Sequence, residues 1–220
     1  EKQTTKTANE IKTLVTAAVT NYNTNTLQKF DSVLRYSKLL EIIDDADTSI
    51  LSNITTLKLR KTFTPTLLTS TNYTVNFSNA LYNPHSGHNT SSGGILSSTG
   101  FKVDGDSNVY FFDDDGEGNV RRYYLVGSVR TYIDNTAGTI TYSSGAIAIN
   151  ALNIASIENI RGAASTVVEL TVTPSSNDIV PVRAQVLSID VANSTFTVQA
   201  DTLVGGSANA GIGYSTTSSY

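Results

Sequence analysis

"EIIDDADTSILSNITTLKLRKTF", residues 41–63, changes its hydrophobic period partway along. Up to Ile43 apolar residues recur at the helical steps of three and four. From Ile54 onward they alternate, Leu57 and Leu59 against Lys58 and Arg60, as in a half-buried strand. Between the two regimes stand Glu41, Asp44, Asp45 and Asp47. Neighbours on a helix point about 100° apart, so Asp44 and Asp45 make a poor carboxylate dyad. Acids at a helix C-terminus also oppose the dipole. The helix is therefore expected to stop near Ile43, with Asp45 or Asp47 capping a turn that starts at Thr48. The fold class that follows is α+β: N-terminal amphipathic helices, then a mainly antiparallel β region of several hairpins.

Upstream, Thr7-Ala8-Asn9-Glu10 has the Thr-x-x-Glu spacing of a capping box. Ile11, Leu14, Val15, Ala18 and Tyr22 follow as one apolar stripe over a helix at 9–22. "NYNTNT" (21–26) reads as an interruption. A second helix is expected over 26–43, its stripe using Leu27, Phe30, Val33, Leu34, Tyr36, Leu40 and Ile43. Arg35 and Lys38 fall off that stripe, on a solvated or partner-facing edge.

Downstream, "YTVNF" (73–77) is a second alternating segment, and 83–100 is a Gly/Ser/Asn loop, mobile or clamped by a neighbour. "NVYFF" and "VRRYYLV" (108–126) form a hairpin around "DDDGEGN". "SVRTYI" and "TITYSSGAIAI" form another around "DNTAG", with Gly138 at a positive-φ turn position. "TVVELTV" (166–172) is a strand, and "VRAQVLSIDV" with "STFTVQA" a last hairpin. Residues 150–162 fit neither period. The segments are then 1–52 helical, 53–165 β-rich, 166–203 a terminal β-hairpin region and 204–220 a low-complexity tail or connector.

Composition narrows the function. The 220 residues carry a net charge of −4, which indicates no general affinity for nucleic acid. Residues 1–61 are net positive and the remainder net negative, the acids densest at 101–120. Cysteine is absent, which excludes disulfides, thiolate metal sites and a cysteine nucleophile. No apolar run reaches membrane-spanning length. Methionine is also absent, which reads as a piece of a longer chain.

Signals for chemistry each have a plainer reading. "DDDGEGN" (113–119) places oxygen ligands close together, but strands flank it and no closing Glu follows, so it reads as a charged hairpin turn. His85 and His88 need a third ligand from afar, such as Asp104 or Asp106. Arg121-Arg122 with Tyr123-Tyr124 alternate faces in a strand and read as cross-strand pairing. The sequons at Asn53, Asn72, Asn76, Asn89 and Asn193 arise readily in so Asn/Ser/Thr-rich a chain. No catalytic, cofactor or metal site is called.

"NYNTNTLQKFDSVLRYSKLLEIIDDADTSILSNITTLKLRK" (21–61) resembles the baseplate wedge subunit of T4-like contractile-tailed bacteriophages, the gene-product-six type, and more distantly the J-type baseplate proteins. "TVNFSNALYNP", "TAGTITYSSGAIAI" and "NDIVPVRAQVLSID" resemble the same family. The resemblance implies a C-terminal or internal fragment of a non-enzymatic structural protein of the virion. Its expected partners are other wedge proteins, further copies of itself, and hub or tail tube proteins, with no cofactor. Assembly is expected in the host bacterial cytoplasm, into a ring that rearranges during sheath contraction. Leu27, Phe30, Val33, Leu34, Arg35, Tyr36, Lys38, Leu40 and Ile43 are the candidate partner interface. Two other classes stand beside it. A tail-fibre adhesin needs an exposed aromatic platform for glycan. A cell-wall hydrolase needs a cleft around a pair drawn from Glu41, Asp44, Asp45 or Asp113–Asp115.

Overall fold

The structure, a computed structural model, describes residues 5–88, 94–182 and 185–199. The expected capping box opens helix α1 (Ala8–Tyr22): Thr7 N–H donates to Glu10 Oε2 at 2.6 Å, and Glu10 N–H to Thr7 Oγ1 at 3.3 Å. Those bonds from Thr7 hold the Glu10 carboxyl below its ordinary range. The inward stripe is Ile11, Val15, Val19 and Tyr22, while Leu14 is 37% exposed. Thr13, Thr16, Thr20 and Thr24 each donate a hydroxyl to the carbonyl four residues back. A threonine-rich helix thus satisfies its own polar groups.

At "NYNTNT" the helix widens instead of stopping, and Asn23–Leu27 form a π turn. The buried Asn23 explains it. Its amide donates to Ile189 O at 3.1 Å, and its Oδ1 accepts Ile189 N–H at 2.8 Å. The second helix, expected over 26–43, forms only as α2 (Tyr36–Asp44). Before it Asp31 adopts φ +60°, and Leu34 makes an isolated antiparallel bridge to Ile179. Asp178 then accepts the Tyr36 N–H at 2.8 Å and pairs with Arg35 at 2.8 Å. The start of α2 is therefore capped by a residue 142 positions away, which no local pattern shows. Its end is closed by Asn53, whose Nδ2 donates to Asp44 Oδ1 at 2.7 Å and Leu40 O at 3.2 Å.

The described residues fall into two compact units. The first takes the stretch up to Ser32, then Ser37–Ile54 and the stretch from Val186; the second takes Val33–Tyr36 and Thr55–Gln185. The second is antiparallel throughout. Its strands are β1 (Leu59–Phe63), β2 (Ser70–Asn76), β3 (Ser97–Ser98), β4 (Phe101–Val103), β5 (Tyr110–Asp114), β6 (Asn119–Val126), β7 (Val129–Thr141), β8 (Ala146–Ile157) and β9 (Val168–Val172). One sheet has the order β1-β9-β3, the other β2-β8-β4-β5-β6-β7. The first residues of β8 also pair with the end of β7, and its last residues pair with β4. The pairings β8–β4–β5–β6–β7–β8 thus close a ring. Phe101, Phe112, Val120, Ile147, Ile154, Val168, Leu170 and Val172, each fully or almost fully buried, form the centre of one core fed by both sheets.

Two turns differ from expectation. β7 continues through "DNTAG", bulged against β6 on both sides of Asp134, and the chain reverses at Tyr142–Gly145, where Gly145 has φ +74°. Gly138 is a strand residue whose missing Cβ leaves room for the Ala148 carbonyl of β8. The aperiodic stretch from 150 is the second half of β8, buried unevenly because it changes neighbours along its length. No strand forms among residues 185–199, where a last hairpin was expected; Val191–Asn193 make a 3-10 turn that Asp190 caps. Residues 183 and 184, the sequon at Asn89 and the 204–220 tail lie outside the described residues.

Candidate assembly site

The stretch from Leu27 to Ile43 divides by environment. Leu27 and Leu34 are buried; Val33, Tyr36, Leu40 and Ile43 are half-buried; Arg35 and Lys38 are exposed. Phe30 is 78% exposed. Arg35 is engaged by Asp178, and Lys38 donates to Glu41 at 2.9 Å, an i,i+3 pair. Leu51 at 60% exposure and a fully exposed Ile54 follow shortly in the chain. Neither belonged to the apolar stripe, since both lie past the end of α2. Three large apolar side chains between residues 30 and 54 therefore meet solvent without contributing to a core, the condition in which a partner surface gains most by covering them.

The carboxylates beside them are separately engaged. Glu41 meets Lys38, Asp44 meets Asn53, and Asp47 Oδ1 accepts both N–H and Oγ–H of Ser49 at 2.9 and 2.6 Å. Lys6 pairs with Asp47 as well, and these partners, Lys6 first, hold its carboxyl well below the ordinary range. Glu41, Asp44 and Asp47 each face their own donor and Asp45 is exposed, so these acids are not drawn together as a pair.

In the β unit Asp113 and Asp114 are buried, while Glu117 is exposed. Across the β5–β6 ladder Asp113 stands opposite Arg121. Its side chain, 1% exposed, accepts from Arg121 Nε at 2.9 Å, Arg130 Nη1 at 2.7 Å and Tyr132 OH at 2.7 Å. The Arg121 guanidinium lies 4.3 Å from the Tyr132 ring centroid and Arg130 4.8 Å from Tyr123. Across the three strands Phe111 stacks on Tyr123 at 5.7 Å, and Tyr132 lies tilted against Tyr123 at 5.5 Å. Burial, then the bond to Asp113, pushes the Tyr132 hydroxyl up. The outcome is a cluster of rings and guanidinium groups on the face away from the core.

Asp114 faces the opposite way and is fully buried. Its carboxylate accepts Leu96 N–H at 2.7 Å and Tyr142 OH at 2.6 Å, and its carbonyl accepts Gly94 N–H at 3.0 Å. The carboxylate fills the place where a Cβ on residue 94 would sit. On the other side of the loop, Asn83 Nδ2 and Gly87 N–H both donate to Gly116 O at 3.1 Å. The loop expected to be mobile or clamped is clamped on both flanks by the β5–β6 turn. His85 Nε2 and His88 Nδ1 lie 2.9 Å apart in this region. The carboxylates suggested as companions are committed elsewhere, Asp104 to Asn153 and Asp106 to Tyr110 and Asn108. Among the described residues no three His, Asp or Glu side chains converge.

Residues 1–62 match the family model of the baseplate structural protein gp6, C-terminal domain III. That match covers 62 of the 220 residues and is a similarity of this stretch. It spans the helical unit's N-terminal part and ends within β1, so it takes in Phe30, Leu51 and Ile54. No curated protein matches the chain. No helix among the described residues is long and apolar enough to cross a membrane.

Proposed function

We propose that the chain is a structural subunit of a baseplate wedge. It joins other wedge proteins through the segment containing Phe30, Leu51 and Ile54, and further copies of itself through its β unit. Wedges built this way, assembled in the bacterial cytoplasm, close into the ring around the hub and tail tube and rearrange when the sheath contracts. One observation carries the reading: the gp6 domain match covers the stretch in which these three apolar side chains are exposed. Covering apolar area is worth about 25 cal/mol per Å2, so a partner face over such residues is a natural source of assembly energy.

The test is Phe30→Asp and Ile54→Asp in reconstitution with the other wedge proteins. Both residues lie outside any core, so thermal unfolding should stay within about 0.5 kcal/mol of wild type, as for ordinary surface changes, while incorporation into the wedge falls at least tenfold. Leu34→Asp is a poor probe, because Leu34 is buried and its loss unfolds its surroundings. Normal incorporation of both exposed variants sinks the proposal.

A further inference from the structure

We infer that the turn from His85 to His88 is a chelating site for a divalent transition-metal ion of the copper or nickel class. These are the only two histidines of the chain. The turn brings their rings together. Gly87 takes φ +72°, a conformation that costs a residue with a Cβ, and His88 N–H donates to His85 O at 3.2 Å. Gly87 N–H and Asn83 Nδ2 both donate to Gly116 O at 3.1 Å, which ties the turn to the β5–β6 connection. His85 Nε2 and His88 Nδ1 then lie 2.9 Å apart. Their rings are 4.6 Å apart at 81°, and Tyr82 meets His88 edge-on at 5.6 Å. Both imidazoles are exposed, so an ion reaches them from solvent.

Three features favour a metal. The first is spacing. At metal–nitrogen bonds of about 2.0–2.1 Å, the length zinc makes to imidazole, a right angle at the metal sets two nitrogens about 2.9 Å apart and a tetrahedral angle about 3.3–3.4 Å. The pair has the right-angled spacing, and square-planar or tetragonal coordination by nitrogen and oxygen is the preference of Cu2+ and Ni2+. The second is ring orientation. Ser86 O lies 3.1 Å from His85 Nδ1. A carbonyl only accepts, so the proton sits on Nδ1 and Nε2 keeps its lone pair. A metal-ligating histidine characteristically gives its other N–H to such a carbonyl. The third is charge. Gly116, the anchor of the turn, stands between Asp115 and Glu117, in the stretch 101–120 whose acids are opposed by Lys102 alone. Such a stretch raises the local concentration of cations.

Without metal the neutral pair shares one hydrogen bond, His88 Nδ1–H donating to His85 Nε2. Binding breaks that bond and moves the His88 proton from Nδ1 to Nε2 through solvent. Two metal–nitrogen bonds form in place of two metal-bound waters. Among the described residues no third His, Asp or Glu side chain joins the pair, so water fills the remaining positions. That is the open coordination of an exchangeable site, where a structural ion has a closed one.

This site goes beyond the assembly proposal and does not rest on it. The test is titration of the full chain with CuCl2 at neutral pH, followed by calorimetry and electron paramagnetic resonance. One Cu2+ per chain should bind, with nitrogen splitting from two imidazoles. His85→Ala and His88→Ala should each bind at least tenfold more weakly and show no more than one imidazole. Both side chains are exposed, so both variants should keep the wild-type urea unfolding curve, which separates lost ligation from lost fold. NiCl2 should rank the three proteins in the same order. Equal affinity in wild type and either variant means adventitious surface copper only and overturns the inference. So does a spectrum of one nitrogen in the wild type, or no binding at roughly 1 mM Cu2+.

Discussion

Replacing Asp114 with alanine tests whether one buried carboxylate holds the 94–96 segment to the β unit. The side chain is fully buried and accepts two hydrogen bonds, from Leu96 N–H at 2.7 Å and Tyr142 OH at 2.6 Å. Alanine strands both donors, and Leu96 is itself only 3% exposed, so water does not reach the amide without local opening. A stranded buried donor costs about 1–3 kcal/mol, so two cost about 2–6. Removing the buried charge recovers part of its desolvation penalty. A net loss of about 3 kcal/mol is expected, or roughly 6–12 °C in Tm for a chain of this size. Burial, then the bond to Asp114, pushes the Tyr142 hydroxyl up, so it remains a donor across the working pH range.

Urea unfolding followed by tyrosine fluorescence is the assay, since the chain holds 11 tyrosines and no tryptophan. Asp114→Asn keeps the shape and one acceptor and should lose about half as much. Combining Asp114→Ala with Tyr142→Phe removes both ends of one bond, and the cycle should show a coupling of about 1–2 kcal/mol. In hydrogen exchange the Leu96 amide should lose protection more than those of β8. An Asp114→Ala protein within 0.5 kcal/mol of wild type, or a cycle without coupling, would refute the reasoning.

Gly138→Ala should destabilise by about 1–3 kcal/mol through overpacking, because the added Cβ meets the Ala148 carbonyl and backbone cannot swing aside; unchanged stability in the same urea assay contradicts the close β7–β8 approach. Asp178 accepts the Tyr36 N–H and pairs with Arg35, in that order of effect, which holds its carboxyl below the ordinary range. A lowered folded value means the stabilisation is complete above the unfolded value of about 3.9 and disappears as pH falls through the lower folded one. The Tyr36 amide resonance should therefore titrate with a midpoint below about 3.9 and show no such step in Asp178→Asn; a midpoint at or above 3.9 rules out the cap.

The parts of the fold legible in sequence are those in which the partner is close in the chain. The Thr7–Glu10 box spans three residues, the Asp47–Ser49 turn two, and the β5–β6 hairpin closes over four residues between its strands. The change of period at Ile54 marks the passage from helices to strands, although β1 forms only from Leu59. Where reading failed, the deciding contact was distant. The π turn at Asn23 depends on Ile189, and α2 starts at Tyr36 because of Asp178. The turn after β7 moved from "DNTAG" to Tyr142–Gly145 because β7 must reach far enough to ladder with β8, a closure that local turn chemistry cannot report.

The same distinction governs the candidate site. An apolar stripe says that a residue is covered, not by what; Leu27 and Leu34 are covered by this chain, while Phe30 is left bare. Leu51 has no period to betray it, and Ile54, read as the first residue of a half-buried strand, is fully exposed because β1 forms only from Leu59. The inward turn of Asp113 and Asp114 did have a signal. Counting back from the hairpin turn sets Asp113 opposite Arg121, which joins an acid seen as surface charge to an arginine seen as cross-strand pairing. Read together, they predict an ion pair on one face and leave Asp114 facing the core.

The carboxylates that the fold engages are spent on holding segments of chain together. A catalytic carboxyl needs an unspent lone pair directed at an open cleft. Here Asp113 accepts from three side chains, Asp114 from two donors, Asp47 from Ser49 and Lys6, and Asp178 from Tyr36 and Arg35. Each joins pieces of chain that hydrophobic burial alone would hold loosely, such as the loop flank at Gly94–Leu96 or the start of α2. The apolar groups show the reverse economy, with Phe30, Ile54, Val126 and Val129 left outside every core. Polar groups are thus spent on internal fixation, while these apolar side chains stay exposed on the surface.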